Sequence, residues 1–504
     1  MANHLFDLIR SRMPALDRVL IENHDGRRLT YGDALDQSAQ LAHALVELGV
    51  LPGDRVAVQV EKSPDAIVLY LACLRAGAVY LPLNTAYTPA EIDYFLGDAE
   101  PTLFVVAPEA APALESLAAA HHTLLATLGT AGDGSLLEHA RPHPAAFADV
   151  ARGEGDLAAI LYTSGTTGRS KGAMITHRNL ACNAVTLADL WRFTPDDWLL
   201  HALPIFHIHG LFVATNVTLM AGSAMLFLAK FDCAEILRRM PRATAMMGVP
   251  TFYVRLLQEP GLTRAATSHM RLFVSGSAPL LAETHTAWEA RTGHRILERY
   301  GMTETNMNTS NPYDGPRRPG TVGLPLPEVS LRIADPASGA ALPPGEIGMI
   351  ELKGPNVFRG YWRNPEKTRE EFRADGYFIT GDLGRVDEDG YVCIVGRDKD
   401  LVISGGLNVY PIEVEEAIDS LPGVAESAVI GLPHPDFGEG VTAVVVRAPG
   451  SVIDEAAIIA ALAERLAKYK QPKRVIFVPE LPRNTMGKVQ KAALRETYAG
   501  LYRA

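Results

Sequence analysis

The sequence has few cysteines, and they follow no pattern that would build a structural framework. Its 504 residues contain only Cys73, Cys182, Cys233 and Cys393, and no two of them form a Cys-x-x-Cys pair. We therefore expect neither a disulfide framework nor a zinc site, and a reducing compartment, the cytoplasm, is favoured. The N-terminal segment carries Asp7 where a secretory signal needs an apolar run, so nothing indicates export.

Blocks of positive charge and long hydrophobic spans are also missing. Lys and Arg total 47 against 58 Asp and Glu, a net charge of −11, and no basic cluster stands out. We expect no nucleic-acid or anionic-membrane partner, and any anionic substrate must be held by individually placed cations. The one charge-free span, Gly210 to Ala229, contains Thr215, Asn216 and Thr218, so it predicts a buried helix plus a strand rather than a membrane helix.

What is present is the composition of a globular α/β protein, 47% hydrophobic and 21% charged. A short apolar run that leads into a polar loop recurs at Leu157–Tyr162, Leu272–Val274 and Arg295–Leu297. Open α/β sheets place their ligands in such loops. Ser63 is placed to cap a helix that ends near Gly77.

The pattern changes near residue 396. The charged segment GRDKD, Gly396–Asp400, has no apolar periodicity, and an α+β module of about 100 residues follows it. This predicts a large domain over residues 1–396, a hinge at 397–400 and a mobile C-terminal domain over 401–504. An ordinary surface loop within a single domain is the alternative reading of the same segment.

The string LYTSGTTGRSKG, Leu161–Gly172, predicts a polyphosphate-binding loop. Its glycines let backbone N–H groups approach phosphate oxygens, its hydroxyls can donate to them, and Lys171 can neutralise their charge. The string is not a Walker motif, because Lys171 is not set between a glycine and a Ser or Thr.

Further strings with suitable chemistry follow along the chain: RYGMTET at Arg299–Thr305, TGDLG at Thr380–Gly384, Arg397 in the charged segment, and PRNTMGK at Pro482–Lys488. Tyr300 offers a stacking surface, Glu304 an oxygen ligand suited to Mg²⁺, and Asp382 an acceptor for ribose hydroxyls. Each string alone is weak evidence, whereas their order and spacing together are specific.

Together these strings resemble the acyl-adenylate-forming (AMP-binding) superfamily of acyl-CoA synthetases, peptide-synthetase adenylation domains and luciferases. The resemblance covers nearly the whole chain and is nearest to the malonyl-CoA synthetases. It implies an α/β fold in which a large N-terminal domain of doubly wound sheets is joined by a hinge to a small α+β C-terminal domain. It also implies ATP, Mg²⁺ and coenzyme A as cofactors and co-substrates.

The resemblance assigns a role to each matching position. The nucleotide-binding positions are Thr163, Ser164, Gly165, Thr166, Thr167, Gly168 and Lys171 for the phosphates, Gly276, Ser277, Ala278, Pro279, Tyr300 and Gly301 for adenine, and Asp382 and Arg397 for ribose. The remaining positions are Thr303 for the α-phosphate, Glu304 for Mg²⁺, Lys399 as hinge residue, Ser404, Gly405 and Gly406 for the pantetheine path, and Lys488 as the adenylation lysine.

The implied chemistry brings a substrate carboxylate to the ATP α-phosphorus, although both are anions. Lys488 would bridge them, and rotation of the C-terminal domain would then admit the CoA thiol. The sequence context of Lys488 also resembles known lysine acetylation targets. A protein lysine acetyltransferase or deacetylase acting on Lys488 is therefore an expected partner, because acetylation would remove the bridging charge.

Arg299 is the residue that indicates which carboxylic acid is the substrate. By resemblance it lies in the acyl pocket, where an unpaired guanidinium is costly unless the substrate brings a second carboxylate. A short dicarboxylate, malonate being the smallest, is therefore predicted, and the alternative is a salt bridge from Arg299 to a protein acid such as Glu298. The further candidates for contact with the substrate are His207, Ile208, Ser275, Met307 and, more weakly, Arg255.

The sequence is also compatible with other functions. The chain could ligate CoA to methylmalonate or to a neutral short- or medium-chain acid, or it could load an amino acid onto a carrier protein. A non-catalytic homologue is a further class. ATP–pyrophosphate exchange that depends on malonate would distinguish these alternatives.

Overall fold

A computed structural model describes residues 3–163, 170–484 and 487–502. The strands of the described part, in chain order, are β1 Val19–Asn23, β2 Arg28–Thr30, β3 Arg55–Gln59, β4 Val79–Pro82, β5 Leu103–Val106, β6 Leu124–Thr127, β7 Leu157–Thr163, β8 Lys171–Thr176, β9 Trp198–His201, β10 Ala224–Phe227, β11 Ala245–Gly248, β12 Leu272–Ser275, β13 Leu297–Met302, β14 Asn306–Ser310, β15 Leu324–Pro325, β16 Ser330–Ala334, β17 Gly348–Lys353, β18 Phe378–Val386, β19 Val392–Arg397, β20 Val402–Ser404, β21 Leu407–Val409, β22 Val424–His434, β23 Gly438–Arg447 and β24 Arg474–Val478.

The α-helices of the same residues are α1 His4–Ser11, α2 Tyr31–Glu47, α3 Pro64–Ala76, α4 Pro89–Ala99, α5 Ala111–Ala120, α6 Ser135–Ala140, α7 His177–Leu190, α8 Asn216–Ala221, α9 Cys233–Arg239, α10 Pro250–Leu257, α11 Ala282–Thr292, α12 Pro365–Glu370, α13 Pro411–Asp419, α14 Glu455–Ala463 and α15 Lys491–Tyr498. A π-helix spans His209–Thr215, and 3₁₀ turns span Met240–Arg242 and Asp398–Asp400.

Two largely parallel sheets form the centre of the large N-terminal domain. The six-stranded sheet has the order β6-β5-β3-β4-β7-β8, and the nine-stranded sheet has the order β15-β14-β13-β12-β11-β9-β10-β1-β2. The largest buried cluster contains residues from both sheets and from α2, α3 and α7, and separate clusters cover the opposite sheet faces. Sheets covered on both faces need strands that are apolar throughout, which explains the short apolar runs in the sequence.

Two smaller sheets complete the fold. Strands β16-β17-β18-β19 form an antiparallel sheet, and β21-β20-β23-β22 with β24 form the sheet of the C-terminal domain. Helices α13 and α14 pack on that last sheet around Val414, Val429 and Leu462. The predicted fold class, a large α/β domain followed by a small α+β domain, is confirmed.

Local signals in the sequence placed several elements correctly. The Ser63 side chain accepts a hydrogen bond from the Ala66 amide at the start of α3, and Gly77 ends that helix with a φ of +73°. Thr176 forms a capping box with Asn179 at the start of α7. At the start of α14 the Asp454 side chain accepts from the Ala457 amide, and the helix ends at Ala463.

The charge-free span folds as a buried helix and a strand, as the sequence predicted. Residues His209–Thr215 form the π-helix, α8 follows, and β10 is a central strand whose four residues are all buried. Within the described ranges, no helix combines the length and the apolar character that crossing a membrane requires.

One expectation about the nine-stranded sheet was wrong. The sequence predicted a strand over Arg295–Leu297 with the RYGMTET string in the loop behind it, whereas β13 begins at Leu297 and continues to Met302. The antiparallel neighbour β14 supplies main-chain partners opposite Arg299 and Tyr300, so the strand continues through them. Both side chains are therefore held by a sheet rather than by a loop.

Candidate active site

Arg299 is a buried cation that no acidic side chain of the described residues neutralises. Its residue surface is 2% exposed, and its Nε and Nη2 atoms have no hydrogen-bond partner among the residues that the structure describes. Burial lowers the pKa of Arg299 to about 9. Because an isolated buried charge is strongly unfavourable, a site of this kind stabilises an anion when one binds.

Glu298 does not neutralise Arg299, although it is the adjacent residue. Neighbouring strand residues point to opposite faces of a sheet, and one Glu298 carboxylate oxygen accepts the Leu280 amide at 3.3 Å. Burial raises the pKa of Glu298 to about 8. None of the ion pairs formed by the described residues includes Arg299, so the sequence-based alternative of a salt bridge to Glu298 finds no support in this geometry.

The loop after β12 leaves room for the guanidinium of Arg299. A Cβ atom on Gly276 would lie 2.4 Å from Arg299 Cζ and 2.5 Å from Nη1, distances that non-bonded atoms do not adopt. The next residue, Ser277, has a φ of +74°, which turns the chain sharply behind the strand. A glycine is needed at 276 because the guanidinium fills the space that a side chain would take.

Two histidines at the start of the π-helix lie near Arg299. The His209 amide donates to His207 Nδ1 at 3.2 Å, so the proton of neutral His207 resides on Nε2. Burial, followed by the charges of Lys488 and Arg299, lowers the pKa of His207 to about 3. His207 is therefore a neutral hydrogen-bond donor at physiological pH and could donate to a substrate carboxylate.

Tyr300, Asp382 and Arg397 form one group. The Tyr300 hydroxyl donates to Asp382 Oδ2 at 2.5 Å, and Arg397 Nε lies 2.9 Å from Asp382 Oδ1. The charge of Asp382 raises the pKa of Arg397. An aromatic face beside a held carboxylate and a guanidinium suits a nucleoside, since the ring can stack on a base and the carboxylate can accept from ribose hydroxyls.

Tyr361 contacts both Glu304 and Lys171. The Tyr361 hydroxyl donates to Glu304 Oε1 at 3.0 Å, and Lys171 Nζ lies 4.7 Å from the centre of the Tyr361 ring. Lys171 Nζ is also 3.9 Å from a Glu371 carboxylate oxygen. Burial raises the pKa of Glu304.

The donor set at Glu304 fits Mg²⁺. A carboxylate oxygen is the type of ligand that Mg²⁺ prefers, and Mg²⁺ commonly combines one or two protein carboxylates with water and substrate phosphates. When bound, the ion would supply positive charge to the phosphates. Among the described residues, no group of three His, Cys, Asp or Glu side chains is arranged around a common metal position.

Lys488 reaches this site from the C-terminal domain. Its amide donates to Asn484 Oδ1 at 3.0 Å, and a Cβ on Gly487 would lie 3.2 Å from Thr251 Oγ1 at the start of α10. Lys488 keeps solvent access. Desolvation by the surrounding protein and the charge of Arg397 lower the pKa of Lys488, while the carboxylates of Asp382 and Glu304 oppose that shift. The lysine thus lies among the nucleotide-side and acid-side groups.

Met307 and Gly301 bound the site on the β13–β14 side. Met307 is 1% exposed, and its backbone carbonyl accepts from Asn183 Nδ2 at 2.9 Å. A Cβ on Gly301 would lie 2.3 Å from Met307 Cε, so the glycine allows the methionine to lie against the strand. Ile208 is also buried, and Ser275 has a buried Oγ with no hydrogen-bond partner among the described residues.

The structure does not gather all predicted positions. The phosphate-loop residues Ser164, Gly165, Thr166, Thr167 and Gly168 lie outside the described residues, which resume at Ser170.

The predicted contacts Thr303, Ala278 and Pro279 lie on loops at the ends of β13 and β12, and Thr163 lies opposite Lys171 in the β7–β8 pair. Arg255 has an exposed side chain on α10 and acts electrostatically on Cys233. Contact of Arg255 with the substrate stays a prediction.

The predicted hinge and pantetheine residues lie at the entry to the C-terminal domain. Lys399 is within the 3₁₀ turn Asp398–Asp400. Ser404 ends β20, and Gly405 and Gly406 turn the chain into β21 with φ values of +60° and +79°. The Gly405 amide donates to the Phe437 carbonyl at 2.8 Å, so the contacts that hold this turn lie within the C-terminal domain.

Sequence reasoning missed Tyr361, which holds Glu304 and stacks with Lys171. The residue is 57 positions from Glu304 in the chain, and nothing in its local sequence marks it. It also missed Thr251, the contact of Gly487. The only signal was that Pro250 starts a helix directly after a buried strand.

Comparisons with known proteins agree with this geometry. The model of the AMP-binding enzyme family matches residues 10–362, and that of the AMP-binding enzyme C-terminal domain matches residues 413–488. A feruloyl-CoA synthase of Amycolatopsis sp is 39% identical over 479 residues, covering 94% of this chain and 95% of the relative. A malonate–CoA ligase of Arabidopsis thaliana is 34% identical over 535 residues, covering 95% and 86%.

Among solved structures, ATP-bound MatB from Rhodopseudomonas palustris is 61% identical, with a TM-score of 0.98 over 100% of both chains. The family matches extend over both domains. The chain belongs to the AMP-binding enzyme family and is an ATP-dependent, AMP-forming acyl-CoA synthetase, an acid–thiol ligase.

Proposed function

We propose that this enzyme is a malonyl-CoA synthetase, which converts ATP, malonate and CoA into malonyl-CoA, AMP and pyrophosphate through malonyl-AMP. The observation that carries the proposal is the buried, unpaired guanidinium of Arg299. A neutral acid would leave that charge uncompensated, whereas the second carboxylate of malonate would pair with it bidentately. Similarity to a malonate–CoA ligase supports the same substrate class.

In the first half-reaction one malonate carboxylate would attack the α-phosphorus while Arg299 holds the other. Lys488 would lie between the attacking carboxylate and the α-phosphate, and His207 would donate its Nε2–H to the acid. Tyr300, Asp382 and Arg397 would hold the nucleoside, and Glu304 would hold Mg²⁺, which supplies charge to the phosphates. Pyrophosphate would leave, with malonyl-AMP remaining in the site.

In the second half-reaction the CoA sulfur would attack the acyl carbon and release AMP. Lys488 occupies the approach to that carbon in the first step, so we propose that the C-terminal domain, residues 401–504, rotates about 397–400 between the steps. Ser404, Gly405 and Gly406 would then border the pantetheine path. A lysine acetyltransferase acting on Lys488 would stop the first step, and this partner stays a prediction.

The experiment that tests the substrate is ATP–pyrophosphate exchange with a matched panel of acids. Malonate, methylmalonate, succinate and acetate vary the second carboxylate and the chain, and monomethyl malonate removes only the distal charge. We expect exchange with malonate and much weaker exchange with monomethyl malonate and acetate. Equal use of malonate and its monomethyl ester would contradict the role of Arg299, and exclusive use of a neutral acid would establish a different ligase.

A further inference from the structure

A second buried basic side chain, Lys62, lies outside the site described above. It follows β3 of the six-stranded sheet, yet it reaches the nine-stranded sheet and is 9% exposed. Its Nζ lies 2.9 Å from His201 Nδ1 and 2.7 Å from the His201 carbonyl oxygen. It also lies 4.2 Å from the centre of the Phe227 ring, and no carboxylate of the described residues forms an ion pair with it.

These contacts specify how His201 is protonated. The Gly210 carbonyl can only accept, so the proton of neutral His201 resides on Nε2, and Nδ1 accepts from Lys62, which can donate whether or not it is charged. That Nε2–H lies 2.9 Å from the Gly210 carbonyl oxygen, to which it donates. Burial, followed by the charge of Lys62, lowers the pKa of His201 well below its usual range, which keeps the ring neutral.

Gly210 connects the hydrogen bonds of Lys62 and His201 to the π-helix beside the predicted acid-binding residues. It lies in the first turn of the π-helix, between His209 and Leu211, and Thr215 Oγ1 also donates to its carbonyl at 3.0 Å. A Cβ on Gly210 would lie 2.0 Å from the Pro204 carbonyl oxygen, so the backbone is fitted tightly here. Single π-helical turns are rare and occur frequently at functional sites.

The same turn carries the acid-side histidines. The His209 amide donates to His207 Nδ1 and the Leu211 amide donates to the His207 carbonyl. The Gly210–Leu211 peptide is thus joined to the main chain of His207 through the Leu211 amide, and the His207 ring is joined to the same turn through the His209 amide.

We infer that Lys62 and His201 are positioning residues for the acyl substrate, which act through the Gly210 carbonyl on His207. The inference rests on the proposed function only in that the enzyme binds a carboxylic acid beside His207. Lys62 and His201 hold the π-helix against both sheets, and they leave the nucleotide-side groups Tyr300, Asp382 and Arg397, which lie on β13, β18 and β19, untouched.

The test compares the Michaelis constants for the acid and for ATP in ATP–pyrophosphate exchange. Lys62→Met keeps the length of the side chain but donates no hydrogen bond, and His201→Phe keeps a ring beside Phe227 but donates none to Gly210. Each should raise the KM for the acid by about tenfold, the effect of one lost buried hydrogen bond, while the KM for ATP changes by less than about twofold.

His201→Gln provides the conservative rescue. Its amide can still donate to the Gly210 carbonyl, so the KM for the acid should stay within about threefold of the unmodified enzyme. The double variant Lys62→Met with His201→Phe should raise the KM no further than His201→Phe alone, because the two residues act in series.

Arg75→Met is the matched control for simple structural damage. Arg75 is also buried and packs in the same domain, where its Nε pairs with Asp149 at 2.6 Å. This change should lower the melting temperature without separating the two KM values. Equal increases in both KM values for the Lys62 and His201 variants, or an unchanged KM for the acid, would overturn the inference.

The acid used is whichever acid supports exchange in the unmodified enzyme. If malonate supports no exchange, the proposed function fails, while the KM comparison can still be made with the acid that works. The two outcomes are therefore distinguishable.

Discussion

Replacing Arg299 with methionine should weaken malonate use and at the same time stabilise the ligand-free protein. Methionine keeps most of the buried volume and removes the charge. The residue is 2% exposed and has no acidic partner among the described residues. Its guanidinium therefore destabilises the empty enzyme and stabilises the complex with a dianion.

The magnitude follows from the environment of the guanidinium. Removing one partner of a buried, hydrogen-bonded charge pair costs about 3–5 kcal/mol. At about 1.4 kcal/mol for each factor of ten, kcat/KM for malonate should fall on the order of 10²- to 10³-fold. Monomethyl malonate has no distal charge, so its kcat/KM should stay the same or rise.

The assay pairs exchange kinetics with thermal unfolding of the ligand-free protein. Arg271→Met is the matched control, because Arg271 directly precedes β12 of the same sheet but pairs with Asp197 at 2.7 Å. We expect Arg299→Met to raise the melting temperature and Arg271→Met to lower it. Only Arg299→Met should change the ratio of malonate to monomethyl malonate use.

Two results would refute the reasoning. If Arg299→Met lowers the melting temperature as Arg271→Met does, the guanidinium has a stabilising partner in the empty protein. If malonate kcat/KM falls no more than that of the monomethyl ester, Arg299 does not recognise the distal carboxylate. In the second case the assignment as a CoA ligase would still stand.

Further predictions concern the other parts of the site. Lys488→Ala should slow malonyl-AMP formation by at least about 10²-fold, which is the effect of one lost charge-stabilising donor. Thioester formation from supplied malonyl-AMP should persist. Equal loss in both half-reactions would contradict the bridging role. Met307→Ala should improve kcat/KM for 2-substituted malonates relative to malonate by opening space beside Gly301, and an unchanged ratio in the exchange assay would show that Met307 does not limit the substituent. Because His207 has a pKa of about 3, the KM for malonate should show no inflection near pH 6.5. Between pH 3 and 6.5 the folded state binds fewer protons at His207 than the unfolded state does. The contribution of His207 to stability is therefore complete above pH 6.5 and declines as the pH falls toward 3. Gly276→Ala would put a Cβ 2.4 Å from Arg299 Cζ and should reduce malonate use more than ATP affinity, so a parallel rise in the KM for ATP would show that the loop rather than the guanidinium is disturbed.

Motif chemistry and caps were readable from the sequence because they are local. Ser63 and Gly77 delimit α3, and Thr176 starts α7, since hydrogen bonds within a few residues of the chain determine both ends. Tyr300 and Asp382 could be predicted to contact the nucleotide, because each has a suitable side chain and lies in one of several motifs whose order and spacing are specific. Their 2.5 Å hydrogen bond joins residues 82 positions apart, which no local pattern indicates.

Whether Arg299 is paired was not decided by the sequence. Glu298 is its neighbour in the chain, and only the alternation of β13 sends the two side chains to opposite faces. Likewise Lys62 reads as an ordinary surface lysine in EKSPD, whereas packing of two sheets buries it against His201. By itself the sequence determined which chemical groups are available and where helices begin and end. The tertiary structure decided which charged or basic side chains are buried without an ion-pair partner, because burial depends on elements far apart in the chain.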